Sequence, residues 1–279
     1  MIGHELVGTG PTRIIALHTW LADHSTFKPM FPYLDSAAFT YGFVDFRGYG
    51  SSREIEGQHT IKEMAGDALA IADSQGWDEF HLLGNSMGGH AAQYLAGKHA
   101  DRVKSVVLLN PVPVSGAPLE GDTLALFSGA AENPENRGTI FNIATGERLS
   151  AAWRNAMVEM SVSTATKQAI TDYLEAWTNT NLVSEVEGCK TRVKIILGGR
   201  DPIITEEVMG QTVRQWFANT ELETNPTVGH WPSLEGSRSR KQAKVRTWPI
   251  SELQSRIPEQ DSRVSAAEPG SFCSNTRVN

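Results

Sequence analysis

The pentapeptide Gly84-Asn85-Ser86-Met87-Gly88 constrains this chain more than any other stretch. Before it, Phe80-His81-Leu82-Leu83 is short and apolar and is closed by Gly84, the pattern of a buried strand. After it, Gly89-His90-Ala91-Ala92-Gln93-Tyr94-Leu95-Ala96-Gly97-Lys98 has the small residues and apolar spacing of a packed helix. A strand that passes directly into a helix needs a sharp, strained turn, and such a turn pushes a serine hydroxyl out where it can attack a carbonyl. Gly84 and Gly88 leave the room for it, since a side chain at either point would meet the neighbouring strand or helix. Ser86 is therefore the candidate nucleophile.

Two partners for that serine follow in the order acid, then histidine. Val193-Lys194-Ile195-Ile196-Leu197 reads as a buried strand running into Gly198-Gly199-Arg200-Asp201-Pro202. Glu221-Leu222-Glu223-Thr224 is a weaker strand, and Gly229-His230-Trp231 lies beyond it. In a parallel sheet the carboxyl ends of the strands share one edge, so both residues reach the edge where Ser86 stands. His230 then acts as general base and acid, and Asp201 holds the imidazole tautomer and stabilises imidazolium.

With these residues in hand, the chain resembles an α/β-hydrolase-fold serine hydrolase over residues 5–235. Asp45-Phe46-Arg47-Gly48-Tyr49-Gly50-Ser51-Ser52, after the strand Tyr41-Gly42-Phe43-Val44, is similar to a loop of that family. The resemblance implies a scaffolding role for Asp45 and Arg47. It also implies a mostly parallel central sheet flanked by helices, with a helical cap inserted after the strand at 103–109. The oxyanion loop departs from the family pattern. Relatives carry His-Gly after the first buried strand, whereas Arg13-Ile14-Ile15-Ala16-Leu17 leads here into His18-Thr19-Trp20. A β-branched residue tolerates left-handed backbone poorly, so this loop is expected to take a different course or to carry strain. The two oxyanion N–H donors are still assigned to Met87 and Trp20. Family members sometimes take the acid from the strand before the cap, where this chain has Asn110. An amide cannot stabilise imidazolium as a carboxylate does.

The expected domains are a core at 1–110 and 187–235, a helical cap at 111–186 and a basic polar tail at 236–279. Candidate cap helices are 119–128, 134–143, 149–162 and 164–179. Trp153, Met157 and Met160 share one helical face, and Ile170, Tyr173, Leu174 and Trp177 share another. From these stripes and the loops, His18, Trp153, Met157, Trp177 and Trp231 are candidate substrate contacts, while Arg148 and Arg154 read as surface arginines. About a dozen residues precede the first buried strand, so the family's N-terminal hairpin is expected to be trimmed. The tail carries eight Lys/Arg against four Asp/Glu and is punctuated by Pro249, Pro258 and Pro269. That composition is typical of disorder.

Composition narrows the remaining classes. The chain has 279 residues, 40% of them hydrophobic, as expected for a globular protein with one large core and an insert. A net charge of −7 argues against a general nucleic-acid binder. No apolar run approaches the roughly 18 residues of a membrane span, and Met1-Ile2-Gly3-His4-Glu5 does not open like a secretory signal. Cys189 and Cys273, the only cysteines, have neither zinc spacing nor a disulfide framework, which points to a reducing cytoplasm. The expected partner is a small-molecule substrate, with no metal or other cofactor, no membrane and a monomeric or homodimeric state. A serine nucleophile argues against the dehalogenases and epoxide hydrolases of this fold, which place Asp there. Three readings stand: an ester or lactone hydrolase with a small to medium apolar substrate, a carbon–carbon hydrolase of vinylogous diketones from aromatic degradation, and a ligand receptor without turnover. Gly84 to Gly89 and Gly229-His230-Trp231 resemble the second group.

Overall fold

The computed structural model describes residues 1–235, so the basic tract 236–279 and its expected disorder lie outside the described residues. Seven strands form one sheet: β1 His4–Val7, β2 Thr12–Leu17, β3 Phe39–Val44, β4 Phe80–Asn85, β5 Val103–Leu109, β6 Arg192–Gly198 and β7 Thr220–Asn225. Their spatial order is β1-β3-β2-β4-β5-β6-β7. β1 runs antiparallel to β3, and the other ladders are parallel. Parallel strands covered on both faces read as continuous apolar runs; β3 and β4 are buried at every position. Alternate side chains then serve two layers. Ile15, Leu17, Leu82 and Leu108 pack into the larger core, while Ile14, Ala16, Tyr41, Phe43, Leu83 and Leu109 pack into the smaller one.

Helices α1 Ile61–Ser74 and α2 Met87–Lys98 cover the larger core. α1 buries Ile61, Met64, Ala65, Ala68, Ile71 and Ala72 along one stripe, and each large apolar side chain contributes about 1.5–3 kcal/mol. Thr60 starts it by accepting the backbone N–H of Glu63. Four helices lie between β5 and β6: α3 Gly121–Ser128, α4 Pro134–Ala144, α5 Ala151–Thr164 and α6 Lys167–Asn179. Three of these, α3, α5 and α6, start later than their apolar patterns suggest, and in α5 and α6 capping oxygens decide the boundary. Ser150 accepts from Trp153 N and Thr166 accepts from Ala169 N. Ala165, between α5 and α6, is extended and bridges to Tyr49. Short helices α7 Glu206–Gln211, α8 Val213–Trp216 and α9 Pro232–Glu235 complete the described chain. At the start of the chain, β1 supplies a short antiparallel edge that the apolar pattern does not reveal.

The loop after β3 is held by charge. Asp45 accepts from Ser51 N and Oγ with one oxygen and from His24 N and Nδ1 with the other. Arg47 grips Asp67 with Nε and Nη2 at 2.7 and 2.8 Å and also donates to Glu56 O. Asp23, His24 and Asp45 bring ligand atoms within 4.8 Å of one another, a spacing that suits a cation. Those atoms already have protein partners: Asp23 accepts from Ser25, and His24 Nε2 meets Glu5 at 3.0 Å. The cluster therefore braces the loop. Burial opposes a charged His24, but hydrogen bonds and charge from Asp45, then Glu5, outweigh it and raise its pKa. A raised pKa means the folded state holds this proton more tightly. The extra stability is complete below about pH 6.5 and is lost as pH rises through the folded-state value. Urea melts across pH 5.5–9 should therefore show the advantage of wild type over His24→Gln shrinking as pH rises; a pH-independent difference would refute this.

Candidate active site

Ser86 sits between the end of β4 and the start of α2 with φ 52° and ψ −116°. A side chain in that region costs about 1–3 kcal/mol and persists only where the surroundings over-determine it. Here they do. Ser86 N donates to Leu109 O at 3.0 Å, and its carbonyl accepts from Gly89, His90 and Val112. The glycines are needed for contact distance. A Cβ on Gly88 would lie 2.3 Å from Leu17 O, and one on Gly84 would lie 2.7 Å from Gly88 O.

Asp201 follows β6, and His230 follows β7. His230 Nδ1 meets Asp201 Oδ2 at 2.6 Å, with the carboxylate fully buried. The other oxygen, Oδ1, accepts from Ile203 N and Ile204 N at 2.9 and 3.2 Å. Asn110 does not replace the acid. Its Nδ2 donates to Asp201 Oδ2 at 2.9 Å, and its Oδ1 accepts from Gly198 N at 3.0 Å. Five hydrogen bonds in all tie this carboxylate and its amide neighbour in place, which keeps Nδ1 protonated and leaves Nε2 of His230 free to take a proton.

Met87 and Trp20 both flank Ser86. Their backbone N–H groups have no acceptor among the described residues. The loop avoids the conflict at Thr19 by moving the strain. Thr19 keeps a negative φ, and Leu21 takes φ 63° instead. Trp20 Nε1 donates to Ile170 O in α6 at 3.0 Å, and its ring stacks on Phe127 of α3 at 5.6 Å.

Ser86 and His230 open onto one small cleft of about 70 Å3, walled by Trp20, Leu21, Phe127, Ile140, Trp177 and Trp231. Thr19, Ser86, His230 and the indole rings of the three tryptophans carry its polar side-chain atoms, and the indole N–H groups of Trp177 and Trp231 have no partner among the described residues. Of the five candidate contacts, Trp177 and Trp231 line the cleft. His18 lies behind it, fully buried, with Nε2 accepting from Phe46 N and Nδ1 facing Thr19 O. Burial holds its pKa down, so it stays neutral and fixes the loop. Trp153 backs Trp231 at 6.4 Å, and Met157 is buried in the larger core. A helical stripe shows that a face is buried but not what it faces. A second, more open groove of about 450 Å3 crosses the amino-terminal halves of β5–β7. Ser105 lines it and meets His81 Nδ1 at 2.8 Å, but His81 itself does not line the groove, burial and the nearby cations push it down to about 4, and no strained turn presents the serine.

The model of the alpha/beta hydrolase fold family matches residues 12–237. The chain belongs to the α/β-hydrolase fold family. It is similar to the 2-hydroxymuconate semialdehyde hydrolase of Pseudomonas putida, with 23% identity over 201 residues, 68% of this chain and 70% of that protein. Among solved structures it is similar to an esterase from Exiguobacterium antarcticum, with TM-score 0.78 and 20% identity over 91% of this chain and 95% of that one. The enol-lactonase from Burkholderia xenovorans LB400 gives TM-score 0.75 and 22% identity over 91% and 96%.

Within this α/β-hydrolase architecture, two residues escape sequence reasoning. Asn110 was legible only as a missing acid, yet it orients the acid that is present. Glu235, five residues after His230, accepts from Gly229 N and Trp231 N and pairs with Arg148, the arginine that reads from sequence as surface.

The site geometry makes the nucleophile testable. A fluorophosphonate should label Ser86 alone, and Ser86→Ala or His230→Ala should remove turnover by roughly 10⁴-fold or more, since such residues act as a unit. Ser86→Gly should be inactive too but more stable than Ser86→Ala by about 1 kcal/mol, because glycine relieves the φ strain. Labelling of any other serine would place the nucleophile elsewhere.

Proposed function

We propose that this hydrolase of the α/β-hydrolase superfamily cleaves small to medium apolar carboxylic esters or lactones through an acyl-enzyme on Ser86. The observation that carries this reading is a strained serine sharing an uncharged apolar cleft with a histidine bound to a buried aspartate. Ser86 Oγ attacks the carbonyl carbon as Nε2 of His230 takes its proton. The developing oxyanion meets the N–H groups of Met87 and Trp20, each of which contributes about 2.7–4 kcal/mol in such sites. The imidazolium, stabilised by Asp201, returns the proton to the leaving alkoxide. Water then gives a proton to Nε2 and attacks the acyl carbon, releasing the carboxylic acid and Ser86. Each step is acyl or proton transfer among these groups, so the reaction calls for no cofactor.

The cleft's electrostatics favour esters and lactones over diketones. No Lys or Arg lines it. A relative such as the 2-hydroxy-6-oxononadienedioate hydrolase of Cupriavidus pinatubonensis is named for a dianionic substrate. A carboxylate buried here would be unpaired, which is costly. Thr19, where the loop departs from the family pattern, is the feature that favours a receptor without turnover, and against that reading Thr19 carries no positive φ, the strained residue being Leu21. The working setting we infer is a reducing cytoplasm, with the protein acting as a monomer or homodimer on a small molecule.

Cleft size then sets chain length. At about 0.8 kcal/mol per buried methylene, each added carbon should improve kcat/KM about fourfold until the cleft is full. Across p-nitrophenyl esters, activity should rise from acetate to a short or medium chain and then fall. Trp177→Ala, which enlarges the cleft, should move the optimum to longer chains, whereas Trp153→Ala, lying behind Trp231, should not. Fast cleavage of a vinylogous diketone with poor ester turnover would replace this reading with the carbon–carbon hydrolase.

A further inference from the structure

Three consecutive backbone N–H groups carry the His230 loop, and none is left to chance. Gly229 N donates to Glu235 Oε2 at 2.6 Å, and Trp231 N donates to Glu235 Oε1 at 2.8 Å. His230 N, between them, donates to the carbonyl of Ala144 at the end of α4 at 3.1 Å. One carboxylate thus spans the residue that moves the protons. It is fully buried, and Arg148, in the loop between α4 and α5, reaches the same Oε2 that receives Gly229. Neither Glu235 nor Arg148 lines the cleft.

We infer that Glu235 and Arg148 are positioning residues that align His230 and make its alignment depend on the seating of the four-helix insert. This rests on the acyl-transfer reading of Ser86 and His230, and adds to it the means by which the base is held. The alternative is a pair that merely stabilises the fold.

The charge of Glu235 is what distinguishes the two. Burial raises its pKa, and the N–H groups of Trp231 and Gly229, then the Arg148 guanidinium and the His230 charge, pull it back. Arg148 from the insert and His230 from its own loop are the charged groups that face it. Without Arg148, the carboxyl takes up a proton at higher pH. The protonated oxygen becomes a donor and a weaker acceptor, so the hydrogen bond from one of the two flanking N–H groups weakens. The loop then relaxes, and a displacement of about 1 Å at a catalytic group is enough to cost ~100-fold in rate.

The test uses the full chain as wild type, Arg148→Ala, Arg148→Lys and Glu235→Gln. Three readouts are needed: kcat and KM on one p-nitrophenyl ester from pH 5 to 9, the rate of fluorophosphonate labelling of Ser86, and thermal melting. Arg148→Ala should lower kcat and the labelling rate ~10–100-fold with KM little changed, and should move the acid limb of the pH profile to higher pH. Arg148→Lys should restore most of both. Glu235→Gln should lose kcat at every pH without moving the limb; if it does not fold, the Arg148 variants decide alone. Variants that melt earlier yet keep kcat, labelling rate and acid limb would overturn the inference and leave a structural pair. A wild type with neither turnover nor labelling would instead overturn the acyl-transfer reading. In that event the downfield proton resonance of His230 Nδ1–H, which needs no substrate, decides between the two roles. A resonance unchanged in Arg148→Ala would refute positioning, and a shifted or lost one would uphold it.

Discussion

The turn at Ser86 is the constraint on which the rest of the structure depends. A residue at φ 52° has no reason to stay there unless its peptide groups are claimed from several directions. β5 claims the Ser86 N–H, and α2 together with the loop after β5 claims its carbonyl. Those claims require β4 to lie between β2 and β5, and α2 to press against the end of β2 at the distance Gly88 allows. Sheet order, helix seating and the placement of the Ser86 hydroxyl at the cleft are therefore one packing solution. Burial in the large core supplies the free energy that outweighs the few kcal/mol of strain.

The acid shows the same economy in polar form. A buried carboxylate is tolerable only when its oxygens are satisfied. Asp201 meets this with two backbone N–H groups, the Asn110 amide and His230. Asn110 itself adopts φ 39°, a conformation asparagine accepts more readily than most residues. An aspartate at 110 would put a second negative charge beside Asp201. The amide delivers a donor in its place, which explains why the position near the end of β5 carries no acid here.

Legibility from sequence follows burial and periodicity. β2 to β6 stand out because both faces are covered, so nearly every residue is apolar. β7 is fainter because its edge position leaves it half exposed, and β1, His4-Glu5-Leu6-Val7, carries too few apolar residues to register. The helices α5 and α6 are legible from their stripes, but their first residues are set by Ser150 and Thr166 oxygens rather than by hydrophobicity. Ser86, Asp201 and His230 were visible because each follows a strand in a short glycine-marked turn. Trp153 and Met157 share a stripe whose burial is real but whose direction no spacing encodes. Glu235 was hidden for another reason. A carboxylate that accepts backbone N–H groups leaves no pattern beyond its place in Trp231-Pro232-Ser233-Leu234-Glu235, and its partner Arg148 lies in a different helix connection.

Both sides of the candidate site are tied to the four helices between β5 and β6, and this bears on what the cleft can hold. Trp20, which lines the cleft with Ser86, is held by the Ile170 carbonyl and packs with Phe127 and Trp177 in one three-ring cluster. His230 is held by Ala144 directly and by Arg148 through Glu235. The cleft between them is about 70 Å3, well below the roughly 300–1,000 Å3 typical of ligand pockets. On the acyl-transfer reading, a chain too long for this cleft has to displace the same helices that supply these contacts. Displacing them loosens the Trp20 loop and the His230 loop together, so the widened cleft is the less reactive one. On that reading, a chain that outgrows the cleft loses the alignment of His230 as well as its fit, while the apolar wall of Trp20, Phe127 and Trp177 keeps water from the acyl group of one that fits.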